Sequence, residues 1–581
     1  MLRRAALLAF ALAACGGRGA SAARTAEALR SLASAPPVPL GTTPDGRRLL
    51  MKSAENAAFT LAVLDRATGA TVARRSLGDP PLAATLRPDG DAVAFLMDRG
   101  GDQEYVPTVM EVRPGTSRPL GAPATSIPGP LLWSPDGNRL AYLQAGRRSA
   151  SRRLVVAEAS GSWQALLPDV EPRTGFAWSP DGRGLAAVRK ESGGVVSVVS
   201  LDGSAREYTV ARGAEIHELA WIGEGRMLAT VREAGRQFFS VVDIELGTGS
   251  VQRLASGSWD AAELQPLSGG AWAFHANVDS ELAPVVCGGG AAACRRLSLP
   301  PGSARILGSV RGTDTILVSH RGRITPARVL PVVPDRGDLA PRTGPAGAPP
   351  QAERIDLRAA DGLAVPAYAW RALRPRAGAR AVVIRVHGGP AVQAERGWDR
   401  TTEYLLRSGI DVVQLNYRGS TGYGASFERA PGGDCARVRD VLAAVAAAER
   451  EMGVPRERIV LYGHSYGALL VGKAAREMRE PVGAVVVVSV VAGNEEFAPG
   501  CSQRSGGAWV PSRLRAYHGA NDHGLSPHEA RRRIAGLFGW GPFQRLRARW
   551  RVFEHEGHTF HRNESWARVY ADIIDDLDGT S

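Results

Sequence analysis

The sequence predicts two domains, a seven-bladed β-propeller over residues 38–338 and an α/β domain with a doubly wound, mostly parallel sheet over residues 353–581. A Pro-Asp-Gly motif that recurs about every 45 residues indicates the propeller. In the second domain, apolar strand patterns alternate with helical patterns. A Pro/Gly-rich stretch at 339–352 separates the two regions and is interpreted as a linker.

The repeat unit of the first domain is a polar turn between two β-rich runs. The motif is intact in four copies and degenerate in further copies near residues 221, 267 and 310. The intact copies are Pro44-Asp45-Gly46, Pro88-Asp89-Gly90, Pro135-Asp136-Gly137 and Pro180-Asp181-Gly182. The period suits four short strands per blade, so seven copies predict a closed ring of seven blades. Each aspartate is interpreted as a hairpin-turn residue and not as a ligand.

The order of elements in the second domain predicts a parallel sheet with helices on both faces. Continuous apolar strands of this kind are typical of sheets that are buried on both sides. Strands are predicted at 381–386, 410–415, 458–462 and 484–490, and helices at 400–408, 436–452 and 466–478.

A serine between two glycines lies at the junction of a predicted strand and a predicted helix. Gly463-His464-Ser465-Tyr466-Gly467 follows the apolar run from Ile459 and precedes small and aliphatic residues at helical spacing. This is the pattern of a nucleophile elbow, the sharp turn that exposes the catalytic serine of α/β-hydrolases. The sequence therefore predicts that Ser465 is a nucleophile.

A serine nucleophile needs a base and an acidic partner, which in α/β-hydrolases follow it in the order aspartate, histidine. Asp522 lies in a loop after the predicted strand 513–517, and His558 lies in a loop after the predicted strand 549–553. We predict that His558 serves Ser465 as base and then as acid, and that Asp522 orients His558.

The oxyanion hole is predicted from two backbone N–H groups. The first belongs to Tyr466, the residue after the nucleophile. The second belongs to Gly389 in His387-Gly-Gly-Pro390, which follows the strand 381–386 at the place where the fold supplies a second donor.

Together these motifs resemble the prolyl oligopeptidase family of serine peptidases, most closely its acylaminoacyl-peptidase branch. The resemblance covers residues from about 353 to the C-terminus and includes Asn416-Tyr-Arg-Gly-Ser-Thr-Gly-Tyr-Gly424. It implies an α/β-hydrolase domain capped by a propeller that limits access to small peptides. Other branches have an oxyanion tyrosine at the position of His387, so the resemblance implies a hole built from backbone alone. Arg418 is interpreted as structural.

Two features depart from the family pattern. Ala468 replaces a usual glycine after the elbow, and the segment between Ser465 and Asp522 is shorter than is usual in the family. The missing part normally carries helices and part of the S1 pocket. The resemblance therefore transfers no substrate preference to this chain.

The N-terminus has the pattern of a bacterial export signal. Arg3-Arg4 precede an apolar run that ends in Leu12-Ala-Ala-Cys15 and is too short to span a membrane as a stable helix. The run resembles a lipoprotein signal, which implies that residues 1–14 are removed, Cys15 is lipidated and residues 15–37 form a flexible tether. The predicted location is a bacterial membrane, with the protein facing the periplasm or the cell exterior. A plain signal peptide with an incidental cysteine is the alternative.

The remaining cysteines are even in number, which favours disulfides in an exported protein but leaves three pairings open. Bonds between Cys287 and Cys294 and between Cys435 and Cys501 keep each disulfide within one domain, and we predict these pairs. Four unpaired buried thiols are the alternative.

The net charge of +13 does not indicate a nucleic-acid partner. Lysine occurs only at 52, 190 and 473, and the arginines are spread through both domains without a run or interleaved aromatic residues. Several histidines crowd near the C-terminus, but their spacing fits no common zinc pattern. We predict no metal and no cofactor, and we interpret His464 as a packing residue.

The leading hypothesis is a lipid-anchored serine peptidase that hydrolyses short oligopeptides through an acyl-enzyme. An esterase or amidase with the same triad is the second hypothesis, because acyl-transfer chemistry does not fix the leaving group. The third is a propeller-based binding lipoprotein whose hydrolase domain has lost its activity. The shortened 490–512 region is its only support, and the intact triad argues against it.

Overall fold

The structure is a computed structural model with two domains: a first domain whose strands lie between residues 38 and 332, and a second domain built from residues 353–579 together with a helix at 21–33. It describes residues 21–33, 36–55, 58–98, 105–121, 130–145, 151–171, 175–190, 192–288, 294–334, 352–372, 374–376, 378–491, 501, 513–538 and 548–579. In the described parts, no helix has the length and apolar character needed to cross a bilayer.

The first domain is a propeller of seven antiparallel sheets, each built from strands that are consecutive in the chain. The first six blades are β1 (Val38–Thr42), β2 (Arg48–Glu55), β3 (Ala58–Asp65) and β4 (Thr71–Leu77); β5 (Pro81–Leu86), β6 (Ala92–Asp98), β7 (Tyr105–Glu111) and β8 (Ser117–Pro119); β9 (Leu132–Trp133), β10 (Arg139–Ala145), β11 (Arg152–Glu158) and β12 (Trp163–Leu167); β13 (Ala177–Trp178), β14 (Gly184–Val188), β15 (Val195–Ser200) and β16 (Ala205–Thr209); β17 (Glu215–Gly223), β18 (Arg226–Arg232), β19 (Ser240–Glu245) and β20 (Ser250–Ala255); β21 (Asp260–Pro266), β22 (Trp272–Val278), β23 (Glu281–Cys287) and β24 (Cys294–Arg296). The seventh has three strands in the described part of the chain, β25 (Gly302–Ser309), β26 (Ile316–Gly322) and β27 (Arg328–Val332). The prediction of seven blades is correct, and that of four strands per blade holds for the first six.

The Pro-Asp-Gly motifs form the turns between the first two strands of blades 1 to 4. In each turn, an aspartate Oδ1 accepts a hydrogen bond from the backbone N–H two residues later, at 2.9 to 3.1 Å. The glycine that follows has a positive φ of 68 to 81°. Aspartate and glycine are therefore needed for the local turn geometry, as predicted.

The first strands of several neighbouring blades contact one another, β1 with β5, β5 with β9, β13 with β17 and β17 with β21, so these strands lie around the axis of the ring. The ring closes where β1 meets β25 and β27. At this seam the Arg311 N–H donates to the Asp45 carbonyl at 3.3 Å. Since each described blade is made from its own stretch of chain, side-to-side packing of blades 7 and 1 closes the ring.

The second domain has an eight-stranded sheet in the order β28-β29-β31-β30-β32-β33-β34-β35. The strand β29 runs antiparallel to its two neighbours. The other six strands, β30 to β35, are parallel to one another. The strands are β28 (Glu353–Arg358), β29 (Ala364–Trp370), β30 (Val382–Val386), β31 (Asp411–Leu415), β32 (Ile459–His464), β33 (Ala484–Val488), β34 (Leu514–Gly519) and β35 (Ala548–Phe553). This is an α/β-hydrolase sheet, as the sequence predicts.

Helices cover both faces of the sheet and form two separate cores. The helices are α1 (21–33), α2 (Arg400–Arg407), α3 (Ala425–Glu428), α4 (Gly433–Arg450), α5 (Tyr466–Glu477), α6 (Pro527–Phe538) and α7 (Asn563–Asp578). One core joins α4, α5 and α6 to one face of the sheet, and the other joins α1, α2 and α7 to the opposite face. The buried side chains of β32 and β33 alternate between the two cores: Ile459, Leu461, Val485 and Val487 lie in the first, and Val460, Tyr462, Val486 and Val488 lie in the second.

The helix α1 corrects the prediction of a flexible tether over 15–37. Its residues Ala28 and Leu32 are buried in the core that also contains α7. Arg24 pairs with Asp575 at 2.9 Å and with Asp578 at 2.5 Å. An apolar stripe and an ion pair at the end of α7 thus fix residues 21–33 to the hydrolase domain.

Two disulfides lie within the domains. Cys287 and Cys294 are bonded across the last hairpin of blade 6, with a Cα–Cα distance of 4.1 Å. Cys435, in the first turn of α4, is bonded to Cys501, with a Cα–Cα distance of 5.2 Å. Both pairs are the ones expected from the sequence.

Candidate active site

Ser465 lies on the sharp turn between β32 and α5. Its φ of 56° and ψ of −122° are unusual for a residue with a side chain. A Cβ atom on Gly463 would lie 2.3 Å from the Gly467 carbonyl oxygen, and one on Gly467 would lie 2.2 Å from the Val386 carbonyl oxygen. Both glycines are therefore required for the backbone to pass this closely, which is the geometry of a nucleophile elbow.

Three predicted side chains form a hydrogen-bonded chain at the ends of three strands. His558 Nε2 lies 2.8 Å from Ser465 Oγ, and His558 Nδ1 lies 2.8 Å from Asp522 Oδ2. The loops that carry Asp522 and His558 follow β34 and β35. This arrangement suits proton transfer from the serine to the histidine, with the aspartate fixing the histidine's tautomer.

The carboxylate of Asp522 is held in its charged form. Burial opposes ionisation, but the hydrogen bond and charge of His558, the charge of His518 and the Gly524 N–H outweigh it, so the pKa of Asp522 is lowered. The Gly524 N–H donates to Asp522 Oδ1 at 2.9 Å. Each carboxylate oxygen therefore has its own donor, and Oδ2 is left to His558.

The segment His387–Gly389 passes beside the nucleophile. A Cβ on Gly388 would lie 3.1 Å from Ser465 Cβ and 3.5 Å from its Oγ, so the backbone is in close contact with the serine. The Tyr417 hydroxyl donates to the carbonyls of His387 and Gly388, at 3.1 and 3.0 Å. These hydrogen bonds fix the orientation of the two carbonyls. The two predicted oxyanion donors, the backbone N–H groups of Tyr466 and Gly389, lie on the two segments that flank Ser465.

Part of the second domain is similar in sequence to known proteins. Residues 398–497 match the prolyl oligopeptidase family. The chain is 33% identical over 88 residues to dipeptidyl aminopeptidase BIII of Pseudoxanthomonas mexicana and 34% identical over 88 residues to dipeptidyl peptidase family member 6 of Caenorhabditis elegans. These alignments span 15% of this chain and only 13% and 12% of the two relatives.

Solved structures match over nearly the whole chain. A puromycin-hydrolysing peptidase of Mycobacterium tuberculosis is 18% identical, with 95% of this chain and 96% of that chain covered and a TM-score of 0.74. Oligopeptidase B from Leishmania major is 12% identical, with 97% and 90% covered and a TM-score of 0.73. At these identities the likeness establishes the fold of both domains.

The chain carries a prolyl oligopeptidase family domain. His387, which precedes the matched residues 398–497 and departs from the tyrosine expected for other branches, has its side chain engaged elsewhere. Its ring stacks on Tyr417 at 4.4 Å, and its Nε2 lies 2.9 Å from Ser420 Oγ. Burial lowers the pKa of His387 to about 4, so the ring is neutral near pH 7. An oxyanion hole of backbone donors, as expected from the sequence, is consistent with this arrangement.

The family arginine Arg418 has a structural role. It binds the buried carboxylate of Asp440 with two of its nitrogens, and it also contacts Asp361. The side chain thus joins α4 to the start of the hydrolase domain. His464 is likewise a packing residue, since its Nε2 lies 3.1 Å from the His558 carbonyl and burial lowers its pKa to about 4.

A charged cluster anchors the side chain of Tyr466, and sequence reasoning missed it. The Tyr466 hydroxyl donates to Asp434 and accepts from Arg437 Nη1 at 2.9 Å, while Lys473 binds Asp434 at 2.6 Å. Asp434 is next to the disulfide-bonded Cys435 at the start of α4. Tyr466, whose N–H is a predicted oxyanion donor, is therefore held both through its backbone in the elbow and through its side-chain hydroxyl.

The Asn416 side chain also lies outside the predicted site, although Asn416 begins the family-like motif 416–424. It clamps Ala394 five residues after Gly389, accepting from the Ala394 N–H at 2.7 Å and donating to its carbonyl at 3.1 Å. Asparagine is the residue type that can do both with one planar amide. Its partners on the propeller could not be read from the motif.

Cys15 and most of the shortened 490–512 region lie outside the described residues. In the described parts of the chain, no group of three or more His, Cys, Asp or Glu side chains has the geometry of a metal site.

Proposed function

We propose that this protein is a serine peptidase that hydrolyses short peptides through an acyl-enzyme on Ser465. The observation that carries the proposal is the continuous chain from Ser465 Oγ through His558 to Asp522, with both contacts at 2.8 Å. The named relatives include a dipeptidyl aminopeptidase and a puromycin-hydrolysing peptidase, which supports the cleavage of small amides.

In the proposed mechanism, His558 Nε2 takes the Ser465 hydroxyl proton as Oγ attacks the substrate carbonyl carbon. The resulting oxyanion accepts hydrogen bonds from the N–H groups of Tyr466 and Gly389. His558 then gives its proton to the departing amine, and the C–N bond breaks to leave an ester on Ser465. A water molecule, deprotonated by His558, hydrolyses that ester and restores the serine.

The propeller is proposed to filter substrates by size. It contacts the hydrolase domain close to the triad: Arg562, four residues after His558, pairs with Asp79, in the connection between blades 1 and 2, at 2.7 Å. The triad lies at the carboxyl ends of the parallel strands, where ligands bind in open α/β sheets. Hydrolysis should fall steeply with peptide length and be negligible on folded proteins. Rapid cleavage of a native globular protein by enzyme free of contaminating protease would contradict the filter.

An esterase or amidase with the same triad is the second candidate, because the three side chains do not select the leaving group. A fluorophosphonate probe should label Ser465, and Ser465→Ala should abolish labelling and turnover without unfolding the protein. A panel of peptide amides against short acyl esters then separates the two activities. Faster turnover of all esters, with no amide cleaved, would reject the peptidase.

The N-terminal anchor is proposed on sequence grounds alone. The run ending in Leu12-Ala-Ala-Cys15 supports removal of residues 1–14 and lipidation of Cys15. The location proposed for the mature protein is the outer or periplasmic side of a bacterial membrane.

A further inference from the structure

The hairpin between β22 and β23 of blade 6 has an unusual tip. Val278 pairs with Glu281, so Asp279 and Ser280 form a two-residue loop, and their φ angles are 53° and 60°. Two positive φ angles define the type I′ turn, for which Asn-Gly is the favoured pair. Serine rarely adopts this conformation, and glycine would adopt it freely. The sequence therefore has residues with side chains at two positions where the backbone conformation favours glycine.

Both tip side chains leave the propeller and bind the hydrolase domain. Asp279 accepts hydrogen bonds from Arg396 Nη1 at 2.7 Å and from the Tyr368 hydroxyl at 3.0 Å, and it pairs with Arg354. Ser280 is fully buried, and its carbonyl accepts from the Arg396 N–H at 2.9 Å. The tip is thus a plug from blade 6 that fits into the second domain.

The Ser280 hydroxyl joins a buried polar network inside that domain. It lies 2.6 Å from the Tyr423 hydroxyl and accepts from Asn416 Nδ2 at 3.2 Å. Asn416 also donates to Tyr423 at 2.7 Å, and the hydroxyls of Tyr423 and Tyr368 are 2.8 Å apart. Removing one partner leaves the buried polar groups that remain with an unmade hydrogen bond, which favours their rearrangement.

The network ends on the segment that carries the proposed oxyanion donor. Asn416 clamps both backbone groups of Ala394, and Arg396 is held by Asp279 and by the Ser280 carbonyl. Gly389 lies five residues before Ala394. Tyr417 holds the N-terminal side of this segment, and Asn416 and the propeller residues Asp279 and Ser280 together hold its C-terminal side.

We propose that Asp279 and Ser280 are positioning residues, through which the propeller holds the segment 389–396 and thereby the Gly389 N–H in the geometry that stabilises the oxyanion. This inference rests on the proposed function, since it assigns a role to the tip in that reaction. The tip touches no reacting atom. Its effect is on the transition state, because a small displacement of a donor costs rate more than substrate affinity.

The test compares Ser280→Ala and Asp279→Asn with the wild type. Alanine keeps the backbone constraint and removes the hydroxyl, and asparagine keeps the conformational tolerance and removes the charge. Asp169→Asn is the matched control: Asp169 has a φ of 52°, lies in the connection between blades 3 and 4, and its side chain binds Ser151 within the propeller. Tyr423→Phe removes a hydroxyl that the hydrolase domain contributes to the same network and leaves the hairpin unchanged.

For the tip variants we expect kcat to fall about tenfold or more with KM within about twofold. The affinity for a peptide boronic acid, which forms a tetrahedral adduct with the serine, and the rate of fluorophosphonate labelling should fall by a similar factor. Tyr423→Phe should behave alike, and Asp169→Asn should match the wild type. Lower thermal stability with unchanged kcat, labelling rate and boronate affinity would overturn the inference, as would a rise in KM alone.

The outcomes also separate the inference from the proposed function. Wild-type protein that reacts with the fluorophosphonate but cleaves no peptide contradicts the peptidase, and the labelling rates of the variants still decide the role of the tip. Wild-type protein that cleaves peptides while the tip variants label at the same rate contradicts the positioning role alone. Wild-type protein that is never labelled contradicts both.

Discussion

Replacing Asp522 by asparagine changes the direction of one hydrogen bond at the centre of the site. Oδ1 accepts from the Gly524 N–H at 2.9 Å, and Oδ2 faces His558 Nδ1 at 2.8 Å. In Asp522→Asn the amide oxygen stays with the Gly524 donor, which points the NH2 group at His558. His558 Nδ1 must then accept, so the proton moves to Nε2, the atom that faces Ser465.

The expected decrease in kcat follows from the loss of His558 as a base. With its proton on Nε2, His558 cannot take the proton of Ser465 Oγ, although all atoms remain in place. Such a tautomer error costs about 10⁴ in kcat, or about 5.5 kcal/mol of activation free energy. His518 offers no rescue, because its Nε2 is engaged with the Leu525 carbonyl at 2.8 Å. Stability should change little, because the amide keeps the size of the carboxylate and the Gly524 bond.

The assay is the turnover of a chromogenic peptide amide, with the fluorophosphonate labelling rate as a second measure and Ser465→Ala as the zero baseline. We expect residual activity in Asp522→Asn, well above that of Ser465→Ala, and a melting temperature close to that of the wild type. A variant that keeps a tenth or more of the wild-type kcat would refute the assignment of Asp522 as the residue that orients His558.

Two further predictions concern stability and location. Burial raises the pKa of Glu218, on the first strand of blade 5, to about 7. Because the folded state then binds this proton more tightly than the unfolded state, the protein loses stability as the pH rises from about 4.5 through 7. Glu218→Gln should therefore raise the free energy of unfolding by about 3 kcal/mol at pH 8 relative to its effect at pH 4, measured by denaturant titration; an equal effect at both pH values would contradict this. Cys15→Ser should abolish lipidation and move the protein from the detergent phase to the aqueous phase on phase separation; wild-type protein found wholly in the aqueous phase would reject the anchor.

The sequence was sufficient for the triad because the chemistry fixes both residue types and their local context. Ser465 needs a strand, two glycines and a helix in immediate succession, and each is visible in the fourteen positions 459–472. Asp522 and His558 each follow an apolar strand, so parallel topology alone brings their loops to the same edge of the sheet. The propeller was predictable for a similar reason, since its turns repeat at a fixed period.

The helix α1 was missed because its signal is weak. Its residues between 21 and 33 are mostly alanine, serine and arginine, a composition shared with linkers, and only Ala28, Leu29 and Leu32 form an apolar stripe. What fixes it is the pairing of Arg24 with Asp575 and Asp578 at the far end of the chain. Such a partner cannot be inferred from local pattern.

The anchoring of Tyr466 and of the oxyanion segment was missed because it depends on contacts between distant parts of the chain. Asn416 and Tyr423 belong to a motif that the sequence shows, but their partner Ser280 lies in an ordinary-looking hairpin of the propeller. No local pattern distinguishes that hairpin from the others in the ring. Only its backbone angles and the burial of its serine do so.

The docked helix changes what a lipid at Cys15 would mean for the enzyme. Only residues 16–20 separate Cys15 from α1, a contour of at most about 20 Å at roughly 3.5 Å per residue. A tether that continued to residue 37 would have let both domains move freely above the bilayer. With α1 fixed to α7, a lipidated chain would instead hold the hydrolase domain close to the membrane surface. The propeller, joined to that domain by the Asp279–Ser280 plug and the Arg562–Asp79 pair, would then be held with it. Lipidation would therefore place the whole enzyme at the surface, where peptides reach it from the aqueous side.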